Sequence, residues 1–273
     1  MKDLLVSGLV VAALMLSLLY FFQNRLLFFP QPLPPAAARL RELPGVEEIR
    51  IVGEDGINLH GWLAKPASSG PHPLVIYFGG NAEEVSYLVP LADRFAGHAL
   101  LALNYRGYGA SEGKPSEQSM LRDALAIYDY ARSRADIDGR RIVAVGGSLG
   151  SGVAVALAAE RDLAGVILAT PYDSMVEVAR HHYPFLPVSL LLRNRFDSVA
   201  RAGAMKVPML MLTAGNDTTI PRARSDALYD RWGGPKSRRD FPGTDHNSVY
   251  SDPGYWKAVA EFLVQVRALE RQP

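Results

Sequence analysis

The stretch VAVGGSLGSGVAVAL, residues 143–157, joins a short apolar run to a run of small apolar residues through a knot of glycines around two serines. Between a strand and a helix, such a knot cradles a phosphate, makes a plain tight turn, or holds a side chain at a strained bend. The phosphate reading fails on residue types. A P-loop needs G-x-x-x-x-G-K-[ST], yet no lysine or arginine lies between Arg141 and Arg161, and the dinucleotide pattern G-x-G-x-x-G is absent. Gly146-Gly147-Ser148-Leu149-Gly150 matches G-x-S-x-G instead, in which a serine sits at a sharp turn between a buried strand and a helix. A Cβ two residues to either side of that serine would collide with neighbouring backbone, which accounts for Gly146 and Gly150. The turn lifts Oγ above the sheet and aims the Leu149 N–H and the helix N-terminus at the same point. The held serine is Ser148, while Ser151, one residue beyond the pattern, is assigned to helix packing.

Outward from this stretch, strand and helix signals alternate. EEIRIV and INLHGWLAK flank Asp55-Gly56, a strong hairpin turn. PLVIYF, ALLALNY, RIVAVGG, AGVILAT and PMLMLTA follow, short β-rich apolar runs of the kind buried on both faces of a parallel sheet. Helix-compatible stretches lie between them at residues 83–95, 117–131, 149–159, 225–232 and 255–268. The pattern predicts an α/β architecture with a mostly parallel, doubly wound sheet and helices on both faces. Residues 171–205 carry no clear strand and read as an inserted cap.

A serine hydroxyl is a weak nucleophile and needs a base, which needs an orienting acid. Of six histidines, His246 in FPGTDHNSVY lies on a turn-rich loop before the last helix, where the order Ser…Asp…His puts the base. His60, His72 and His98 default to surface-loop histidines. MLMLTAGNDTTIP sets Asp217 at the carboxyl end of an apolar strand, where catalytic groups gather in open α/β sheets. Asp173 in ATPYDS is the runner-up acid, and Asp245 is expected to face solvent. For the second oxyanion donor, Gly79-Gly80-Asn81 ends a strand, and the Asn81 N–H is nominated, with Gly80 as the fallback.

The 273 residues suffice for one large α/β domain, and no linker divides the body. A formal charge of +1 offers no basic stripe for nucleic acid, and the lack of cysteine excludes disulfides, thiolate catalysis and cysteine-ligated metals. Adjacent His181-His182 carry no pattern of a metal site, and neither metal nor organic cofactor is expected. Residues 4–22, LLVSGLVVAALMLSLLYFF, hold nineteen residues without a charge, spanning roughly 28 Å against a hydrocarbon core of ~30 Å. The bulky RLLFFP that follows does not resemble a cleavage site, so residues 1–25 read as an uncleaved transmembrane anchor, with a cleaved signal as the rival. The sparse flanking charges are read as N-terminus inside and body extracytoplasmic. Proline-dense residues 26–45 read as a semi-rigid spacer. Phe28 and Phe29 rest either at the lipid interface or on the body, which spans residues 46–273.

With these residues in place, the chain resembles the α/β-hydrolase superfamily and, within it, the Bem46-like membrane-anchored group with a serine aminopeptidase-like profile. The resemblance is carried in order by RLLFFP, FGGNAEEV, LNYRGYGASEGKPSEQSMLRDA, GGSLGSG, PYDSM, HHYPFLPVSLLLRNRFDS, PMLMLTAGNDTTIP and GTDHNSV. It implies an α/β-hydrolase fold with a cap, and Arg106 and Tyr108 shaping the loop beside the elbow. Two departures stand out. Gly79 replaces the histidine of the family's His-Gly-Asn turn, which is expected to unbrace the oxyanion loop. Gly147 replaces a larger residue, which is expected to leave a roomier pocket floor. The implied reaction is acyl transfer from a small-molecule ester, thioester or lipid, the apolar YPFLPVSLLL (residues 183–192) serving as lid, acyl-chain wall, membrane contact or simple cap core. A serine peptidase and a non-catalytic membrane-tethered binding protein are the alternatives, and oligomeric state is open.

Overall fold

A computed structural model describes residues 1–53 and 55–269. The seven runs become strands β1 (Val46–Val52), β2 (Asn58–Ala64), β3 (His72–Phe78), β4 (Ala99–Leu103), β5 (Ile137–Gly147), β6 (Gly165–Ala169) and β7 (Met209–Ala214), and the charged stretch KSRRDF adds β8 (Lys236–Phe241). They form one sheet in the order β1-β2-β4-β3-β5-β6-β7-β8, in which β2 alone runs against its neighbours. The Asp55-Gly56 turn joins β1 to β2, with Gly56 at a φ of 79° that disfavours other residues.

The central strands bury both faces because their side chains alternate between two cores. Leu74, Ile76 and Phe78 of β3 enter one core, while Val75 and Tyr77 enter the other. On the first face lie α2 (Glu117–Ser133) and α3 (Leu149–Glu160). On the second lie the 3-10 helix Val85–Phe95 and α8 (Pro253–Leu269). Ser116 and Ser119 reciprocally cap the start of α2, fixing where that helix begins. The stretch expected as a helix at 83–95 winds as 3-10, with Pro90 inside it supplying no N–H. The insertion after β6 folds as three short helices, α4 (Met175–His182), α5 (Val188–Leu191) and α6 (Ser198–Ala202), and α7 (Arg222–Arg231) follows β7.

At the N-terminus, α1 (Lys2–Leu27) is longer than the apolar run, and an 18-residue window within it has a mean hydropathy of 2.5, long and apolar enough to cross a membrane. Its last turn docks on the body. Gln23 is buried, and Asn24 bonds the Asn194 side chain at 2.7 Å. The proline-dense segment lies along the body: Phe28 is buried, Pro32 bridges to Gly109, and the 3-10 helix Pro35–Glu42 tucks Ala37 and Leu40 into the core. Phe29 is half exposed. The surface-loop expectation for His60, His72 and His98 is overturned, since all three are buried. The chain leads each of them into or next to a strand, and His60 spends its Nε2 on Glu48 Oε1 at 2.8 Å.

Candidate active site

Strand order reverses beside β3, which pairs with β4 on one side and β5 on the other, and the loops leaving the carboxyl ends of β3 and β5 diverge there. Ser148 occupies the loop after β5 with φ 47° and ψ −114°, a strained conformation for a non-glycine residue. Backbone crowding keeps the two flanking glycines bare. A Cβ on Gly146 would fall 2.6 Å from the Gly150 carbonyl carbon, and one on Gly150 would fall 2.6 Å from the Gly79 oxygen. The Ser148 N–H donates to Ala169 O at 2.9 Å, pinning the turn to β6. Ser151 is buried and donates to Ser148 O at 2.7 Å, so it braces the bend.

Loops after β7 and β8 bring Asp217 and His246 to the same edge. His246 Nε2 lies 2.9 Å from Ser148 Oγ, and His246 Nδ1 lies 2.8 Å from Asp217 Oδ2. The other oxygen of Asp217 accepts from the N–H groups of Thr219 and Ile220 at 2.9 and 2.7 Å, which locks the carboxylate in place. Asp173 is elsewhere: its carboxylate accepts from Arg224 Nη1 at 3.0 Å and from the Ser174 N–H at 2.7 Å, and burial pushes its pKa up. Asp245 is exposed and caps its own loop through the N–H groups of Asn247 and Ser248.

Leu149 opens α3, so its N–H has no acceptor within the helix, and the residue lines the same cavity as Ser148. Across from Ser148, the Gly80 N–H donates to Glu83 Oε2 at 2.6 Å, so it is already engaged, and Asn81 follows it along the cavity wall. The Asn81 side chain is tied on both ends: Nδ2 donates to Leu27 O at 2.5 Å, and Oδ1 accepts from the Tyr108 hydroxyl and the Phe29 N–H, each at about 3.2 Å and 3.2 Å respectively. Arg106 holds the neighbouring loop through a bidentate pair with Asp123 at 2.7 Å.

Both expected consequences of the departures are corrected. The loop is braced without the family's histidine, because Glu83 fills the space beside Gly79 and accepts from Tyr77 and Tyr87 hydroxyls at 2.9 and 2.6 Å. Burial, then the nearby Glu83 charge, pushes both phenol pKa values up, so they stay protonated as donors. The Tyr105 hydroxyl secures Gly79 O at 2.9 Å. The floor at Gly147 is not roomier, for a Cβ there would stand 2.8 Å from the Tyr250 hydroxyl. Sequence reasoning missed Glu83 and its tyrosines. The available signal was its position three residues after Gly80, the reach of a capping-box acid. A cavity of about 500 Å³ opens over Ser148, with Leu27, Met175, Val178 and Tyr250 among its walls.

The sheet order and the placement of these loops are those of an α/β-hydrolase. A family described as "Serine aminopeptidase, S33" matches residues 69–196. "Uncharacterized protein Rv2307c" of Mycobacterium tuberculosis is 35% identical over 266 residues, covering 95% of this chain and 94% of that one. "Protein bem46" of Schizosaccharomyces pombe is 26% identical over 279 residues, covering 95% and 91%. Among solved structures, the Pyrococcus furiosus esterase Pf2001 superposes with a TM-score of 0.70 at 16% identity, over 88% of this chain and 97% of that one, a likeness of fold. The chain belongs to the α/β-hydrolase superfamily, in its Bem46-like group.

Proposed function

We propose that this hydrolase is a serine enzyme, anchored by α1, that cleaves carboxylic ester or thioester bonds through an acyl-enzyme. The observation that carries the reading is the unbroken chain of hydrogen bonds from Ser148 Oγ through His246 to Asp217 at 2.9 and 2.8 Å. In the first step, Ser148 Oγ attacks the carbonyl carbon while His246 Nε2 takes its proton. The imidazolium, held by Asp217, then gives that proton to the departing alcohol or thiol. Water repeats the sequence on the acyl-serine and releases the acid. The N–H groups of Asn81 and Leu149 receive the negative charge that develops on the carbonyl oxygen, and losing one such donor typically costs ~2.7–4 kcal/mol.

A fluorophosphonate probe tests the reading directly. Full-length protein in detergent is expected to become labelled and to hydrolyse p-nitrophenyl butyrate, and Ser148→Ala is expected to do neither. A correctly folded wild type that stays unlabelled and inert towards the ester removes the enzyme claim and leaves a tethered binding protein.

A further inference from the structure

The cavity over Ser148 does not end at its own walls. Leu27, Met175 and Val178 also close one end of a second, more apolar groove of about 300 Å³ between α1 and the cap. Its farther walls include Leu19 and Leu26 on α1 and Ala179 and Leu191 on the cap. From Leu19 to Leu27 the groove follows α1 for about 12 Å. We propose that this groove holds the acyl chain of a bilayer ester whose carbonyl lies at Ser148, so that substrate arrives sideways from the membrane. The proposal rests on the reading of Ser148 as nucleophile and of α1 as a membrane helix.

Three independent observations favour a lipid chain as occupant. First, two of the polar side chains on the groove wall, Gln23 and His182, are already engaged. Gln23 Nε2 donates to Leu191 O at 3.0 Å, its Oε1 accepts from the Arg193 N–H at 2.7 Å, and His182 Nε2 is hydrogen-bonded with Thr219 O at 2.9 Å. Those two offer little to a polar ligand, while the remaining wall, apart from Tyr183, is leucine, valine, methionine and alanine.

Second, cation–aromatic pairs lie on α1 along the stretch that lines the groove. The Arg193 guanidinium lies over the Tyr20 ring at 5.2 Å and that of Arg25 over Phe22 at 5.8 Å, a pairing of aromatics and cations that membrane helices carry at headgroup level. Above Tyr20 the helix is uncovered, with Leu4, Leu9, Leu14 and Leu18 exposed. Third, the cap turns apolar side chains outward beside the groove: Phe185 is 98% and Leu190 81% exposed. Such residues in water are costly, and the lipid interface beside α1 would cover them. The Gln23 and Asn24 bonds to the cap hold the groove between the bilayer and Ser148.

The chemistry is that of the proposed hydrolysis. The bond from Ser148 Oγ to the carbonyl carbon forms as the ester C–O bond breaks, and the alcohol leaves with the proton from His246. Water then releases the fatty acid back along the groove.

The test uses full-length protein reconstituted in phosphatidylcholine vesicles, with p-nitrophenyl butyrate supplied from water and p-nitrophenyl palmitate dissolved in the bilayer. Ala179→Trp places an indole in the groove, and Ala179 does not line the cavity over Ser148. Palmitate hydrolysis is expected to fall at least roughly tenfold while butyrate hydrolysis stays within about twofold of wild type. Leu26→Trp, from the opposite wall, is expected to do the same. A palmitate-to-butyrate ratio that neither variant changes overturns the proposal. So does a wild type that takes the fluorophosphonate and cleaves butyrate but not palmitate, an outcome that leaves the serine-hydrolase reading intact. A wild type inert to the probe and to both esters overturns that reading and this one together.

Discussion

Replacing Asp217 by asparagine changes a few atoms and is expected to reverse the histidine. One carboxylate oxygen accepts two backbone N–H groups, from Thr219 and Ile220, and the other faces His246 Nδ1 at 2.8 Å. An NH2 group cannot point at two N–H donors, so the amide oxygen of the variant must keep the backbone pair and the NH2 must face the ring. Nδ1 then becomes an acceptor and the ring proton moves to Nε2, the atom 2.9 Å from Ser148 Oγ. A protonated Nε2 cannot take the serine proton. The same inversion elsewhere lowers kcat by about 10⁴, which corresponds to about 5 kcal/mol of lost transition-state stabilisation. Steady-state hydrolysis of p-nitrophenyl butyrate at neutral pH measures it, with fluorophosphonate labelling as a second readout. Asp173→Asn is the control, because that carboxylate is held by Arg224 at 3.0 Å and is expected to leave kcat near wild type. A folded Asp217→Asn enzyme keeping more than about a tenth of wild-type kcat/KM, or a comparable loss in the Asp173 variant, would refute the tautomer argument.

Two further outcomes follow from the bracing and from burial. Glu83→Ala frees the Gly80 N–H and both tyrosine hydroxyls, and the loosened turn is expected to lower kcat roughly tenfold to hundredfold with little change in KM; a kcat matching wild type sinks the positioning role. His98 is buried, and burial lowers its pKa from the usual 6.5 to about 4. The unfolded chain therefore binds the extra proton first as pH falls, so stability is lost between about pH 6.5 and 4, by about 3 kcal/mol in all. His98→Gln is expected to flatten that part of the stability curve, measured by thermal melting in detergent, and an unchanged slope rules the histidine out as its source.

Features that depend on local spacing were legible in the chain. Gly146 and Gly150 are dictated by contacts within the turn and across to β3, and the apolar runs announce the buried strands because both faces of such strands meet a core. The positions of Asp217 and His246 follow from loops at the carboxyl ends of β7 and β8, so order along the chain was enough to nominate them. Features that depend on distant partners were not legible. Nothing near Gly147 says that Tyr250, a hundred residues on, fills the space, and nothing near Gly79 says that phenols from β3 and the following 3-10 helix converge on Glu83. The burial of Leu40 was equally hidden, and that of Phe28 was only one of two open alternatives, because a proline-dense segment reads as a spacer until the surface it lies on is known.

The bond from the Asn81 side chain to the Leu27 carbonyl ties the end of α1 to the turn beside Ser148. With α1 as the proposed anchor and Ser148 as the proposed nucleophile, a protease that clipped the body free at Phe29 would not liberate a working soluble enzyme. It would take away the acceptor that seats Asn81 and one wall of the cavity, so shedding from the membrane would act as an off switch, and attachment as a condition of turnover.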